Sequence, residues 1–149
     1  MDEDRRSSAV RALIELAASG DYLDRADAGR ALASFAMVDG AREVLLGLVL
    51  DAGDTFVTVA TAEALLRRQD LAGFAIVAEV LGLADFQHRT YIDQAVTAVF
   101  LVFASERDRA MEACEALSLD GSAGVRQGAV VLREMLAQVG PLLFPQEPA

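Results

Sequence analysis

The sequence predicts an all-α domain of four stacked two-helix repeats, a short α-solenoid. Of its 149 residues, 54% are hydrophobic and 24% are charged, which is a balance typical of a globular domain. Ala and Leu are abundant and Trp is absent, and Ala is both the best helix former and small enough to let helices approach closely. No segment of strand length alternates polar and apolar residues between turns, and one short pattern recurs along the chain, as a repeat architecture requires.

The recurring pattern is an aspartate that follows a short turn and opens a helical segment. Asp is favoured at helix N-caps because its carboxylate accepts the unpaired N–H groups of the first turn. Eight residues after each aspartate comes a small residue in three of the four repeats, and such a residue suits a helix packed on two sides. These positions are Gly29, Ala62, Asp93 and Gly128. The predicted caps, at spacings of 33, 31 and 35 residues, are Asp21, Asp54, Asp85 and Asp120.

A leading helix precedes each capped helix. Apolar residues with a period of 3.6 predict leading helices at about 8–18, 41–50, 71–83 and 107–117. The Thr-rich segment after Asp54 is the best strand candidate, but its Ala-Glu-Ala-Leu-Leu continuation and its place in the repeat favour a helix. One domain, 1–149, would then hold repeats at about 5–38, 39–69, 70–104 and 105–140. In the tail, 141–149, three apolar residues could fold back as a cap: Leu142, Leu143 and Phe144.

The pattern resembles HEAT repeats and the HEAT-like variants of the armadillo-type fold. The most similar segment is DGSAGVRQGAVVLREMLAQVG, which runs from Asp120 to Gly140. The second repeat keeps its Asp and its Ala-rich run but has Val59-Ala60 where Val-Arg would stand. The resemblance covers nearly the whole chain. It implies a right-handed α-α superhelix whose second helices line a concave surface, where extended partners bind.

Composition also predicts a compartment and excludes some partners. A formal net charge of −10 makes binding to a phosphate backbone unfavourable, because that binding depends on Lys and Arg. We predict a cytoplasmic protein from the single cysteine and the acidic start MDEDRRSS. The apolar run 95–104 is too short to cross a membrane, so we predict no membrane segment and expect this run to be a buried core helix. All 13 basic residues are Arg, a bias that we attribute to a GC-rich bacterial genome.

The residue types that carry catalysis are sparse and isolated. His88 is the sole histidine and has no evident partner in sequence, so we expect a surface residue at a helix start. Cys114 lies between Glu112 and Glu115 and is predicted to be buried and inert. The Asp-rich segments match no Ca²⁺ loop, and no zinc, P-loop or dinucleotide motif is present. We therefore predict no catalytic residue, no metal and no cofactor.

Arginine is distributed unevenly. Seven of the 13 lie in the second helices, whereas the leading helices carry most of the acidic excess. Arg25 and Arg126 fit a ladder of Asp-Arg pairs between successive repeats, which the HEAT resemblance implies. Arg67, Arg68 and Arg89 are expected to lie outside this ladder, free of structural ion pairs. With their polar neighbours these free cations form the predicted contact patch, whose members are Arg67, Arg68, His88, Arg89, Tyr91 and Gln94.

These observations predict a non-catalytic protein-protein interaction module, such as a scaffold, an adaptor or a small acidic inhibitor of a basic enzyme. An alternative is a HEAT-like enzyme or enzyme subunit, of the alkylpurine DNA glycosylase or phycobilin lyase kind. The glycosylase alternative needs a basic surface and aromatic residues, usually with Trp, which this acidic chain lacks. A third possibility is self-association through the apolar helix 95–103, so both a monomer and a homodimer remain open.

Overall fold

A computed structural model describes residues 2–145, which form eight α-helices and one short 3₁₀ turn, Ala33–Phe35, after the second helix. The Thr-rich segment after Asp54 is helical, as predicted. Within the described residues no strand is present, and none of the helices is long and apolar enough to cross a membrane. The helices are α1 (Glu3–Ala17), α2 (Tyr22–Leu32), α3 (Asp39–Val49), α4 (Thr55–Arg67), α5 (Leu71–Leu83), α6 (Phe86–Phe100), α7 (Ala104–Asp120) and α8 (Ala123–Gln138).

Three of the predicted caps lie at helix N-termini. The carboxylates of Asp21, Asp54 and Asp85 accept backbone N–H groups in the first turns of α2, α4 and α6 at 2.8 to 2.9 Å. The prediction for Asp120 was wrong, since this residue is the last of α7 and the N-cap of α8 is Ser122. The run Met111–Asp120 contains no Gly or Pro, so α7 continues until Gly121.

The helices pack in a layered order. The second helices α2, α4 and α6 contact one another in succession, and so do the leading helices α1, α3, α5 and α7. The pairs α1–α2, α3–α4 and α7–α8 also pack directly. The third pair, α5–α6, is joined only sparsely, since α5 makes its most extensive contact with α8 and α6 packs mainly on α4. As a result α6 and α8 touch only sparsely.

The contact between α5 and α8 is close enough to require glycine. The Cα of Gly128 in α8 lies against the carbonyl of Ala78 in α5, and Gly82 in α5 faces the carbonyl of Gly124 in α8. Residues of α5 therefore meet those of α8 in descending order, so the two helices are antiparallel. A side chain at either site would displace the neighbouring backbone. Because both sites are glycine, α8 packs closely on α5 and makes little contact with α6.

The core runs along the middle of this arrangement. Its largest buried side chains come from α2 to α6 and from α8, and they include Leu45, Leu65, Ile76 and Phe100. Burying a side chain of this size contributes about 1.5–3 kcal/mol. Helix α4 is enclosed almost all round, with even Thr58 and Thr61 buried. The helices with open faces are therefore those at the margins, among them α6 and α8.

Only the first part of the apolar run 95–104 lies in helix α6, which ends at Phe100. Ala95, Val96, Val99 and Phe100 are buried in α6, as predicted, but the helix ends at Phe100 and the next three residues, 101–103, are exposed. The tail folds back on these residues through its backbone. The N–H groups of residues 142 and 143 donate to the carbonyls of residues 101 and 102 at 2.9 and 2.8 Å. Its apolar side chains stay exposed, and 146–149 lie outside the described residues.

Candidate functional site

The predicted contact patch does not form one surface. Arg67 and Arg68 lie at the C-terminal end of α4, whereas the His88 ring hydrogen-bonds the carbonyl of Asp51, just before the N-terminal end of α4. Helix α4 has 13 residues and is about 20 Å long. The two halves of the patch are therefore at opposite ends of the second-helix layer, a separation that the sequence spacing did not reveal.

Arg68 is a structural residue. Its guanidinium donates to the Asp70 carboxylate at 2.6 Å and to the Ala33 carbonyl at 2.9 Å. Burial alone would raise the pKa of Asp70, but the hydrogen bonds from Arg68 and from the backbone of Gly73 hold it below its ordinary value. The interpretation of Arg68 as a free cation was wrong. Arg67 is exposed and forms no ion pair within residues 2–145.

His88 and Arg25 join three second helices through one loop. Arg25 of α2 binds the Asp51 carboxylate in two hydrogen bonds of 2.9 and 3.2 Å. The His88 ring of α6 contacts the Asp51 carbonyl through Nε2 at 3.0 Å and the Asp85 carboxylate through Nδ1 at 2.8 Å. Asp51 itself lies directly before α4, so its loop ties α2 and α6 to the N-terminal end of α4.

The charges at this junction stabilise one another. Burial alone would raise the pKa of Asp51, but hydrogen bonds from Arg25 and from two backbone N–H groups hold it below its ordinary value. The hydrogen bond to the Asp51 carbonyl, and the Asp85 carboxylate, raise the pKa of His88. Arg25 thus pairs with an aspartate of the next repeat, as the ladder predicts. Arg126 forms no such ion pair with the side chains that the structure describes, and its guanidinium donates to the Gly121 carbonyl of its own repeat.

His88 and Cys114, the single histidine and the single cysteine of the chain, are both held by the fold. His88 has both ring nitrogens engaged, and its side chain is only 19% exposed. Cys114 is fully buried, and burial raises the pKa of its thiol to about 12, so it stays protonated at neutral pH. Within the described residues no group of three His, Cys, Asp or Glu side chains is placed to hold a metal ion.

A groove between α6 and α8 has a volume of about 540 Å³. Helix α6 packs mainly on α4 and helix α8 on α5, so little contact joins α6 to α8 and space is left between them. Other concavities, of about 200, 250 and 110 Å³, are smaller. The α6–α8 groove is lined by Phe86, Arg89, Thr90 and Asp93 of α6 and by Val131, Glu134, Met135 and Gln138 of α8.

The groove has an apolar floor and charged sides. Val131 and Met135 are half-buried, and Phe86 at one end is 87% exposed. Asp93 and Glu134 are exposed, and neither forms an ion pair within residues 2–145. Arg89 donates to the Leu81 carbonyl at 3.3 Å, while its Nε is buried without a described acceptor. Of the predicted patch only Arg89 lines this groove; Tyr91 and Gln94 do not.

One sequence signal could have located the groove. In the first repeat Gly29, eight residues after the cap, lies against Thr61 of the next second helix. Ala62 at the same place in the second repeat is fully buried. The third repeat has Asp93 there, which is exposed in the groove. A charge at a position otherwise reserved for close packing marks the point where the next helix does not close on α6.

No protein-family model, curated protein or solved structure matches this chain.

Proposed function

We propose that this protein is a non-catalytic protein-interaction module, built as a HEAT-like α-solenoid, whose second-helix side binds a partner protein at the α6–α8 groove. The groove itself is the observation that carries the proposal. It combines a half-buried apolar floor, an exposed aromatic ring at Phe86 and two carboxylates without ion-pair partners in the described chain. Apolar centres with polar rims are typical of protein interfaces.

The successive contacts of α2, α4 and α6 support the solenoid part of the proposal, since repeat units stack against their neighbours. The state of the reactive side chains favours binding over catalysis. A histidine that acts as a general base needs a ring nitrogen free to accept a proton, and both nitrogens of His88 are engaged by protein oxygens. A nucleophilic cysteine needs a lowered thiol pKa, and that of Cys114 is raised.

The proposal is tested by comparing two matched variants in a tagged pull-down from native extract with quantitative mass spectrometry. Phe86→Ser removes the exposed ring of the groove, and Leu119→Ser removes a side chain that is 77% exposed on α7, outside the groove. We expect partners captured by the wild type to be retained by Leu119→Ser and to fall about tenfold with Phe86→Ser, as for an aromatic anchor at an interface. Equal capture by both variants, with unchanged thermal unfolding, would show that the partner binds elsewhere.

A further inference from the structure

The shape of the α6–α8 groove matches a helix better than other ligands. Both walls are helices, and a third helix can pack its ridges of side chains into the groove between them. The groove is open to solvent, whereas small-molecule pockets enclose most of the ligand surface. It is lined by side chains of two helices, so it offers no free strand edge to an extended peptide.

The floor favours apolar side chains presented at helical spacing. Val131 and Met135 are one turn apart on α8, and the exposed ring of Phe86 faces the same space from α6. Met is flexible and polarizable, and it adapts to ligands of different shape at binding surfaces. A helix with apolar residues at i, i+3, i+4 and i+7 would present a stripe to this floor.

The sides of the groove favour a basic ligand. Asp93 lies on α6 and Glu134 on α8, both exposed and neither paired within residues 2–145. Arg89 is the one cation that lines the groove, and its guanidinium is already turned to the Leu81 carbonyl. The net charge of −10 adds a long-range attraction that steers positively charged ligands to this surface.

We infer that the α6–α8 groove takes an amphipathic, basic α-helix of the partner, with its apolar stripe on Val131, Met135 and Phe86 and its Lys or Arg side chains beside Asp93 and Glu134. This inference rests on the proposed function and names the chemistry of the ligand. It excludes acidic segments and nucleic acid, because both would bring negative charge to two carboxylates.

The inference is tested by selecting a surface-displayed library of random 16-residue peptides on the purified wild-type protein. We expect the enriched peptides to be net positive, to carry apolar residues at i, i+3 or i+4, and to gain helical circular dichroism on binding. Their affinities are then measured by fluorescence anisotropy against Asp93→Arg/Glu134→Lys, and we expect binding to weaken about tenfold, or about 1.4 kcal/mol. Acidic peptides should bind this variant better than they bind the wild type.

The matched control is Glu43→Lys/Glu112→Lys, which changes the net charge by the same amount at two exposed sites outside the groove. It should lower affinity much less than the groove variant. Peptides that bind the groove but are acidic or non-helical would overturn this inference and leave the proposed function standing. Peptides that ignore both Asp93→Arg/Glu134→Lys and Phe86→Ser, or a selection that enriches nothing, would overturn both.

Discussion

At the scale of single residues, His88 is held in a position that favours its charged form. Its Nδ1 faces the Asp85 carboxylate and its Nε2 faces the Asp51 carbonyl, and both of these oxygens are acceptors. A neutral imidazole has one N–H and would point a lone pair at one of them. The two acceptors raise the pKa of His88 above its ordinary value of 6.5, whereas the unfolded chain keeps that value.

A raised folded pKa contributes stability that is fully present below pH 6.5 and is lost as the pH rises through the folded pKa. We therefore expect His88→Ala to lower the free energy of unfolding by about 1 kcal/mol at pH 5.5, through the loss of charge-assisted hydrogen bonds. The difference from wild type should shrink by pH 9. Urea denaturation at both pH values measures it, with the exposed neighbour Gln87→Ala as control. A difference that grows with pH would mean that the folded protein favours neutral His88.

Apart from Arg25, whose pairing with the next repeat follows the HEAT resemblance, the residues that sequence reasoning placed correctly have partners close along the chain. Asp21, Asp54 and Asp85 each bond an N–H group two or three residues ahead, so their role is visible locally. Arg68 bonds the Ala33 carbonyl, 35 residues away, and the His88 ring bonds Asp51, 37 residues away. Such partners depend on how the helices stack, which the local pattern of residues does not specify.

At the scale of helices, the α5–α8 contact depends on Gly128. A Cβ at this position would overlap the carbonyl of Ala78, which belongs to the α5 backbone and cannot rotate away. We expect Gly128→Ala to destabilise the protein by about 2 kcal/mol, because the overpacking cost exceeds the gain of about 1 kcal/mol in helix propensity. The measurement is the free energy of unfolding from urea titration followed by circular dichroism.

Gly124→Ala on the same helix is the matched control. A Cβ at Gly124 meets no other atom within 4 Å, and the residue is exposed. This substitution should leave the stability unchanged or raise it by up to about 1 kcal/mol. If both variants were equally stable, the close approach of α5 and α8 would not exist in solution. Loss of stability only in Gly128→Ala would support the packing that separates α8 from α6.

Element boundaries follow the same division between local and distant causes. Helix α5 spans Leu71–Leu83, as its periodicity predicts, because its cap and its apolar residues are all local. Helix α7 runs past the predicted end to Asp120, and α6 stops at Phe100 although the apolar run continues. After Phe100, the backbone of residues 101–103 contacts the C-terminal tail, about 40 residues further along the sequence.

At the scale of the whole molecule, the eight helices were predictable and the opening between α6 and α8 was not. The repeat pattern treats every second helix alike, yet α8 packs on α5 through Gly128 while α6 keeps an exposed charge at Asp93. Both residues occupy the same predicted position, eight residues after an aspartate. Because the cap of α8 is Ser122, α8 begins two residues later than the pattern predicts, and Gly128 comes six residues after its cap whereas Asp93 comes eight after its own.

The net charge of −10 is also a property of the whole molecule, and it predicts how stability responds to salt. The chain has 23 acidic and 13 basic residues, and repulsion among its carboxylates disfavours the compact state. Raising KCl from about 0.01 to 1 M shortens the Debye length from about 30 to 3 Å. We expect Tm to rise by several degrees, about 3 °C for each kcal/mol gained.

The variant Glu43→Gln/Glu112→Gln removes two exposed carboxylates that form no ion pair within residues 2–145. It should have a higher Tm than wild type at low salt and gain less from KCl, because part of the repulsion is already gone. Differential scanning calorimetry measures both effects. A Tm that falls with salt would instead mean that ion pairs such as Arg25–Asp51 and Arg68–Asp70 outweigh the repulsion. Since these pairs are half-buried and screened less than exposed charges, we expect the repulsion among exposed carboxylates to determine the sign.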